Sequence, residues 1–145
     1  MIRSKSQRRV YKFVHTQDTS IQTNIYGRIF ETEWLKVESN GIITVKGSNN
    51  RGYAWDGCSP KFNILQFTCG TPDGMLVYET CFPITYYASM FHDAIYQYKK
   101  EIDITRKETD NLFKENLKKA DFMWWWLYYF AVWAFGWIRG KWKVK

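Results

Sequence analysis

The apolar residues change their spacing at Pro83, and that change constrains the fold more than any other feature of the chain. Before it, runs of β-branched and aromatic residues lie between turn-forming dipeptides. After it, apolar side chains recur every three or four positions. A chain patterned this way is expected to fold as α+β, with N-terminal antiparallel strands, then an antiparallel helix pair, then a third, aromatic-rich helix. Its 145 residues suit one domain, large enough to bury a core without staples. That domain divides into a strand-rich part, 1–60, and a helical part, 83–139.

Four strands are predicted in the first third: Val10–His15, Ile21–Phe30, Trp34–Glu38 and Ile42–Lys46. Asn40-Gly41 tolerates positive φ at both central positions of a tight hairpin turn. Residues 47–52 form a second turn leading into the short apolar strand Tyr53-Ala54-Trp55. Residues 61–82 contain the breakers Gly70, Pro72 and Gly74, and read as an ordered loop with one short strand near Met75–Tyr78.

Pro83 suits the first turn of a helix, where its missing N–H costs little. Ile84, Tyr87, Ala88, Phe91, Ile95 and Tyr98 then follow at helical spacing. Thr105-Arg106-Lys107-Glu108 is a capping-box pattern that starts a second helix running to about Lys119, with Leu112, Phe113 and Leu117 inward. Asp121 is the expected cap of a third helix, Phe122 to about Ile138, ended by Gly140.

The connection Glu101–Ile104 is short enough to make the first two helices antiparallel neighbours. His92 lies roughly two turns before it and Asp110 roughly a turn and a half after it, so the two side chains face one another at similar height. A carboxylate there orients an imidazole, fixes its tautomer and stabilises its charged form, which is what a histidine general base needs. Tyr96, one turn after His92, reaches Asp110 from the same face. Asp93 is rotated by about 100°, towards the loop Asp56-Gly57-Cys58-Ser59-Pro60. Carbonyls of that loop with Asp56 and Asp93 form an oxygen-donor set for a hard cation such as calcium. Plainer readings fit the same residues: a polar pair pinning two helices, an ordinary turn, and an Arg106–Asp110 ion pair at i,i+4.

These motifs also carry a resemblance. Asp56-Gly57-Cys58-Ser59 followed by Pro60, then His92-Asp93-x-x-Tyr96, then Arg106-x-x-x-Asp110-x-x-Phe113, resembles a small domain of unknown function widespread in tailed phages and prophages. Tyr129-x-Ala131-Val132-x-x-Phe135-Gly136 is similar to that domain's last helix, and the likeness covers about residues 50–136. More distantly the motifs resemble the phospholipase A2 superfamily, in which a His-Asp pair opens a catalytic helix. The resemblance implies that His92 activates water, that Asp93, Asp56 and the loop around Gly57 bind calcium, that Asp110 stands behind the histidine, and that Tyr96 braces Asp110. The chain departs from that superfamily before His92, where Ser89-Met90-Phe91 stands in place of a nearby cysteine.

Other chemistries find no support. His15 and His92 are the only histidines, too few for a multi-histidine metal site, and no Gly-rich phosphate loop, nucleophile elbow or zinc motif is present. Cys58, Cys69 and Cys81 are an odd number without a CxxC; they read as thiols of a reducing compartment, with a Cys58–Cys81 bridge as the alternative. The first residues have no apolar stretch of signal-peptide type. With the phage resemblance, this implies the host cytoplasm or the virion.

The formal charge is +7, with basic clusters at Arg3–Arg9 and Arg139–Lys145, which favour anionic partners. No nucleic-acid-binding motif accompanies them. The charge-free run 122–138 includes Trp124-Trp125-Trp126, Tyr128-Tyr129-Phe130, Trp133, Phe135 and Trp137. It fits a core or subunit-packing helix, an interfacial helix on a membrane surface or partner, or a short membrane span. Two function classes follow. One is a small lipid or ester hydrolase with a His92–Asp110 dyad. The other is a non-enzymatic phage structural or assembly protein, whose aromatic helix binds other phage proteins or a second copy.

Overall fold

The computed structural model describes residues 13–49, 52–55, 61–64, 67–70, 85–136 and 142. Eight strands precede three helices: β1 Phe13–His15, β2 Asp18–Gln22, β3 Phe30–Glu31, β4 Leu35–Val37, β5 Ile42–Lys46, β6 Tyr53–Trp55, β7 Lys61–Ile64, β8 Phe67–Gly70, α1 Tyr86–Gln97, α2 Arg106–Lys119 and α3 Trp125–Gly136. The α+β class and the order of its parts are as the sequence predicts.

The main sheet runs β2-β5-β4-β3, all antiparallel, beside a ribbon in which β1 pairs with β6. Alternation decides its faces: Leu35 and Val37 of β4 and Ile43 and Val45 of β5 point into the core, and their neighbours point outward. The predicted strand Ile21–Phe30 is not continuous. It ends at Gln22, where the Thr23 hydroxyl donates to the Gly41 carbonyl at 2.7 Å and accepts from the Ile25 N–H at 3.1 Å. A side chain that bonds its own local backbone competes with the ladder, and the chain leaves the sheet until Phe30.

The β4–β5 hairpin also differs in detail. The Gly41 N–H bonds the Glu38 carbonyl at 3.0 Å, and of the turn residues only Gly41 has positive φ, +87°. This is a three-residue loop closed by a glycine bulge, not a two-residue turn with two left-handed positions. A second hairpin, β7–β8, occupies part of the segment expected to be a loop; Met75–Tyr78 lies outside the described residues.

Nine of the twelve residues of α1 are buried, so it is a central helix and not an amphipathic one. Met90, Phe91, Ala94 and Ile95 join the sheet residues Leu35, Val37, Ile43, Val45, Tyr53 and Trp55 in the main core. Ala88 joins Phe113, Leu117, Phe122, Tyr128 and Val132 in a second cluster that holds α2 and α3. The link between α1 and α2 is longer than the four residues expected, because Tyr98–Glu101 forms an extra turn and Ile102 and Ile104 are buried in the main core.

The predicted capping box of α2 is complete. The Thr105 Oγ1 accepts from the Glu108 N–H at 3.1 Å, and Glu108 Oε2 accepts from the Thr105 N–H at 2.8 Å. The other oxygen of Glu108 binds Arg28 at 2.8 Å, tying the loop after β2 to this helix start. Asp121 does not cap α3. Its φ of +55° ends α2: the Phe122 N–H bonds the Leu117 carbonyl and the Asp121 N–H bonds the Lys118 carbonyl, the paired bonds of a Schellman motif. Phe122 and Leu117 share the second cluster, which supplies the motif's hydrophobic contact. Consequently α3 begins at Trp125, later than predicted, after the turns around Phe122 and Trp124.

Candidate functional site

The two ends of the helix pair's polar contact are held by opposite devices. His92 sits in the middle of α1, fixed because the core grips that helix on nearly every side. Asp110 sits one turn inside α2, fixed by the capping box that sets where α2 starts. The antiparallel arrangement brings His92 Nε2 to 3.0 Å from Asp110 Oδ1. Both side chains are sequestered, with 5% of His92 and 1% of Asp110 exposed.

Three further groups define this pair. The Tyr96 hydroxyl donates to the same Asp110 oxygen at 3.4 Å. Arg106 Nε lies 3.4 Å from the other oxygen, Oδ2, so the i,i+4 pair and the interhelical pair coexist on one carboxylate. Asp93 Oδ1 lies 4.0 Å from His92 Nδ1. The imidazole is walled by the Tyr96 ring, with centroids 4.3 Å apart, and by Phe113 at 5.1 Å. Trp142 packs edge-on to Tyr96 at 4.8 Å.

The electrostatics follow from these neighbours. Burial alone pushes the His92 pKa down, because it penalises the imidazolium. The hydrogen bond to Asp110, the contact with Asp93 and the charges of both carboxylates overcome it, and the net direction is upward. The carboxylate fixes the tautomer as well: Nε2 carries a proton and donates to Asp110, leaving Nδ1 as the nitrogen that exchanges a proton with anything reaching the site.

The structure thus brings together His92, Asp110 and Tyr96, and places Asp93 beside them. Asp56 and Gly57 lie outside the described residues, as do Cys58 and Cys81. Among the described residues no group of three or more His, Cys, Asp or Glu side chains is arranged to hold a metal ion. Asp93 is the one member of the expected calcium set that is described.

His15, the other histidine, belongs to a separate network. It is buried against the main core, with Nδ1 3.0 Å from the Tyr86 hydroxyl and Nε2 2.7 Å from Thr19 Oγ1. Burial lowers its pKa and, with the neighbouring Tyr87, pushes Tyr86 up to about 12. Sequence spacing does not mark this contact, because the partners lie on β1 and α1. It also does not mark Arg106 as a bridge. The Arg106 Nη2 donates to the Trp133 carbonyl of α3 while Nε faces Asp110, so one guanidinium joins the third helix to the dyad. A groove of about 420 Å³ lies between Gln22–Asn24 and the Asn111–Lys119 face of α2, and neither His92 nor Asp110 lines it.

No helix among the described residues is long and apolar enough to cross a membrane. No protein-family model, curated protein or solved structure matches the chain.

Proposed function

We propose that this chain is a small phage-type hydrolase of lipid or other ester bonds, with His92 as the general base. The observation that supports this reading is the 3.0 Å His92–Asp110 hydrogen bond, with Tyr96 on the same carboxylate. In this scheme neutral Nδ1 takes a proton from water as the water attacks the ester carbonyl, and the imidazolium returns it to the leaving alkoxide as the ester C–O bond breaks. The Nε2–H bond to Asp110 holds the ring and stabilises the imidazolium that forms. Tyr96 and Arg106 position Asp110. The motif order through His92-Asp93-x-x-Tyr96 and Arg106-x-x-x-Asp110, which resembles the phage domain and distantly phospholipase A2, supports the same assignment. Calcium enters no step of it; Asp93 with Asp56 and the Gly57 carbonyl would be its ligands.

The near-complete burial of both partners favours a second reading, a non-enzymatic phage structural or assembly protein in which the pair only clamps α1 to α2. Hydrolysis assays separate the two. The purified chain is given a chromogenic short-chain ester and phosphatidylglycerol vesicles, with and without calcium. The hydrolase reading expects turnover that His92→Gln lowers by about 10²–10⁴-fold, the range of general-base catalysis, and that rises with pH as the imidazole loses its proton. Absence of turnover, or turnover that survives His92→Gln, leaves the clamp.

A further inference from the structure

We propose that the outer face of α3 is a docking surface for an anionic phospholipid bilayer. This goes beyond the hydrolase reading and does not depend on it. Trp126, Phe130 and Trp133 lie at i, i+4 and i+7 on one face of α3, and are 51%, 58% and 56% exposed. Leu127, Met123 and Trp124 extend the patch at the same end of the chain. Half-exposed aromatic side chains present roughly 75–125 Å² each, so these residues together give a patch on the order of 500 Å², the size of the largest apolar patch on a typical monomer, which is often a binding surface. The opposite face of α3, with Tyr128 and Val132, is already spent on the second core cluster.

Two observations select the occupant. The first is residue type. The face is tryptophan and phenylalanine, and aromatic rings of this kind prefer the headgroup region to the hydrocarbon centre. Among the described residues no helix is long and apolar enough to cross a membrane. The second is charge. Lys118 Nζ sits 4.4 Å from the Trp125 ring and Lys114 Nζ 5.1 Å from the Tyr129 ring, so a row of cations runs along one flank of α3. From Lys114 to the end of the sequence there are seven Lys and Arg against two carboxylates, Glu115 and Asp121, and α3 itself carries no charge. An apolar face edged by cations matches a surface of anionic headgroups over acyl chains; a second copy of the same face would bring the same cations with it.

The test uses the full chain and vesicles of phosphatidylcholine alone or with phosphatidylglycerol. Flotation is expected with the anionic vesicles, weakened by salt, and at least ten-fold poorer with phosphatidylcholine alone. Trp126→Ser/Trp133→Ser should lower the partition at least ten-fold. Lys114→Gln/Lys118→Gln should lower it about five-fold for each cation that reaches the surface. Because the serine variant alters a helix packed on the core, a second measurement uses the unaltered chain: brominated phosphatidylglycerol should quench its tryptophan emission. Absence of quenching, equal partition of the serine variant, or binding indifferent to lipid charge overturns the proposal. So does an oligomer that the serine substitutions dissolve, which would give this face to another copy of the chain.

Discussion

The His92–Asp110 contact makes a prediction whose size and pH dependence are both fixed by its geometry. The perturbation is a double-mutant cycle with His92→Gln, Asp110→Asn and the double variant, each of which keeps volume and removes charge. Both partners are buried and 3.0 Å apart, so the bond is charge-assisted when the imidazole is protonated, worth about 1.5–3 kcal/mol; a neutral bond of the same geometry is worth about 0.5–1.5 kcal/mol. The folded pKa of His92 is raised above 6.5. Stability from the pair is therefore fully present below that unfolded value and is lost as pH rises through the folded pKa. His15 acts with the opposite sign: its folded pKa is lowered by burial, so its contribution is present above 6.5 and fades as pH falls. A pH curve of the unaltered chain mixes the two. The cycle cancels His15, which is unchanged in all four proteins. Urea unfolding followed by far-UV circular dichroism should give a coupling energy of about 2 kcal/mol near pH 5.5, falling to about 1 kcal/mol or less near pH 9. A coupling equal at both ends, or larger at alkaline pH, refutes the assignment of a protonated imidazole to the folded state.

Arg106→Gln should raise the His92 pKa further, because the Arg106 guanidinium shares the Asp110 carboxylate and offsets part of its charge; titration of the imidazole resonances checks this, and an unchanged or lower value contradicts the shared-carboxylate geometry. Asp121→Gly should stabilise the chain by about 0.5–1 kcal/mol, since Asp121 holds φ +55° at the end of α2 and glycine adopts that region without a Cβ clash. Thermal unfolding of the variant reads the effect, and a destabilised protein would mean that the Asp121 side chain contributes more than its backbone costs.

The elements legible in the sequence are those whose signal is local. The capping box at Thr105 and Glu108 places the start of α2, because both halves of the signal lie within one turn. The strand Ile42–Lys46 keeps its predicted limits because its alternation and its turn agree. The misreadings come from backbone and packing contacts that composition and spacing do not encode. Ile21–Phe30 looks like one strand by composition, yet Thr23 bonds Gly41 across the hairpin and takes the chain out of the sheet. Asp121 looks like a cap for the apolar run after it, yet the carbonyls of Leu117 and Lys118 claim the N–H groups on its C-terminal side and its own. The burial of most of α1 is likewise hidden, since Tyr86, Ser89, Met90 and Ala94 fill the face that helical spacing alone leaves to solvent.

For the site, spacing gives the height match between His92 and Asp110 but not the charge balance that lets both be buried. Burying an ion pair costs several kcal/mol per charge unless every partner is satisfied. Here the imidazole, when protonated, meets Asp110 with Asp93 close by, and Asp110 meets His92, Tyr96 and Arg106. Two cations therefore stand among two carboxylates. Arg106 adds a longer link, because its second nitrogen is anchored on the Trp133 carbonyl of α3. The i,i+4 relation to Asp110 is readable in the sequence; the anchor on α3 is not, because it depends on where the Schellman turn at Asp121 sends the chain. The consequence is that the dyad's charge is set by three helices. When His92 loses its proton, Arg106 still neutralises Asp110, so the buried carboxylate is never left without a cation.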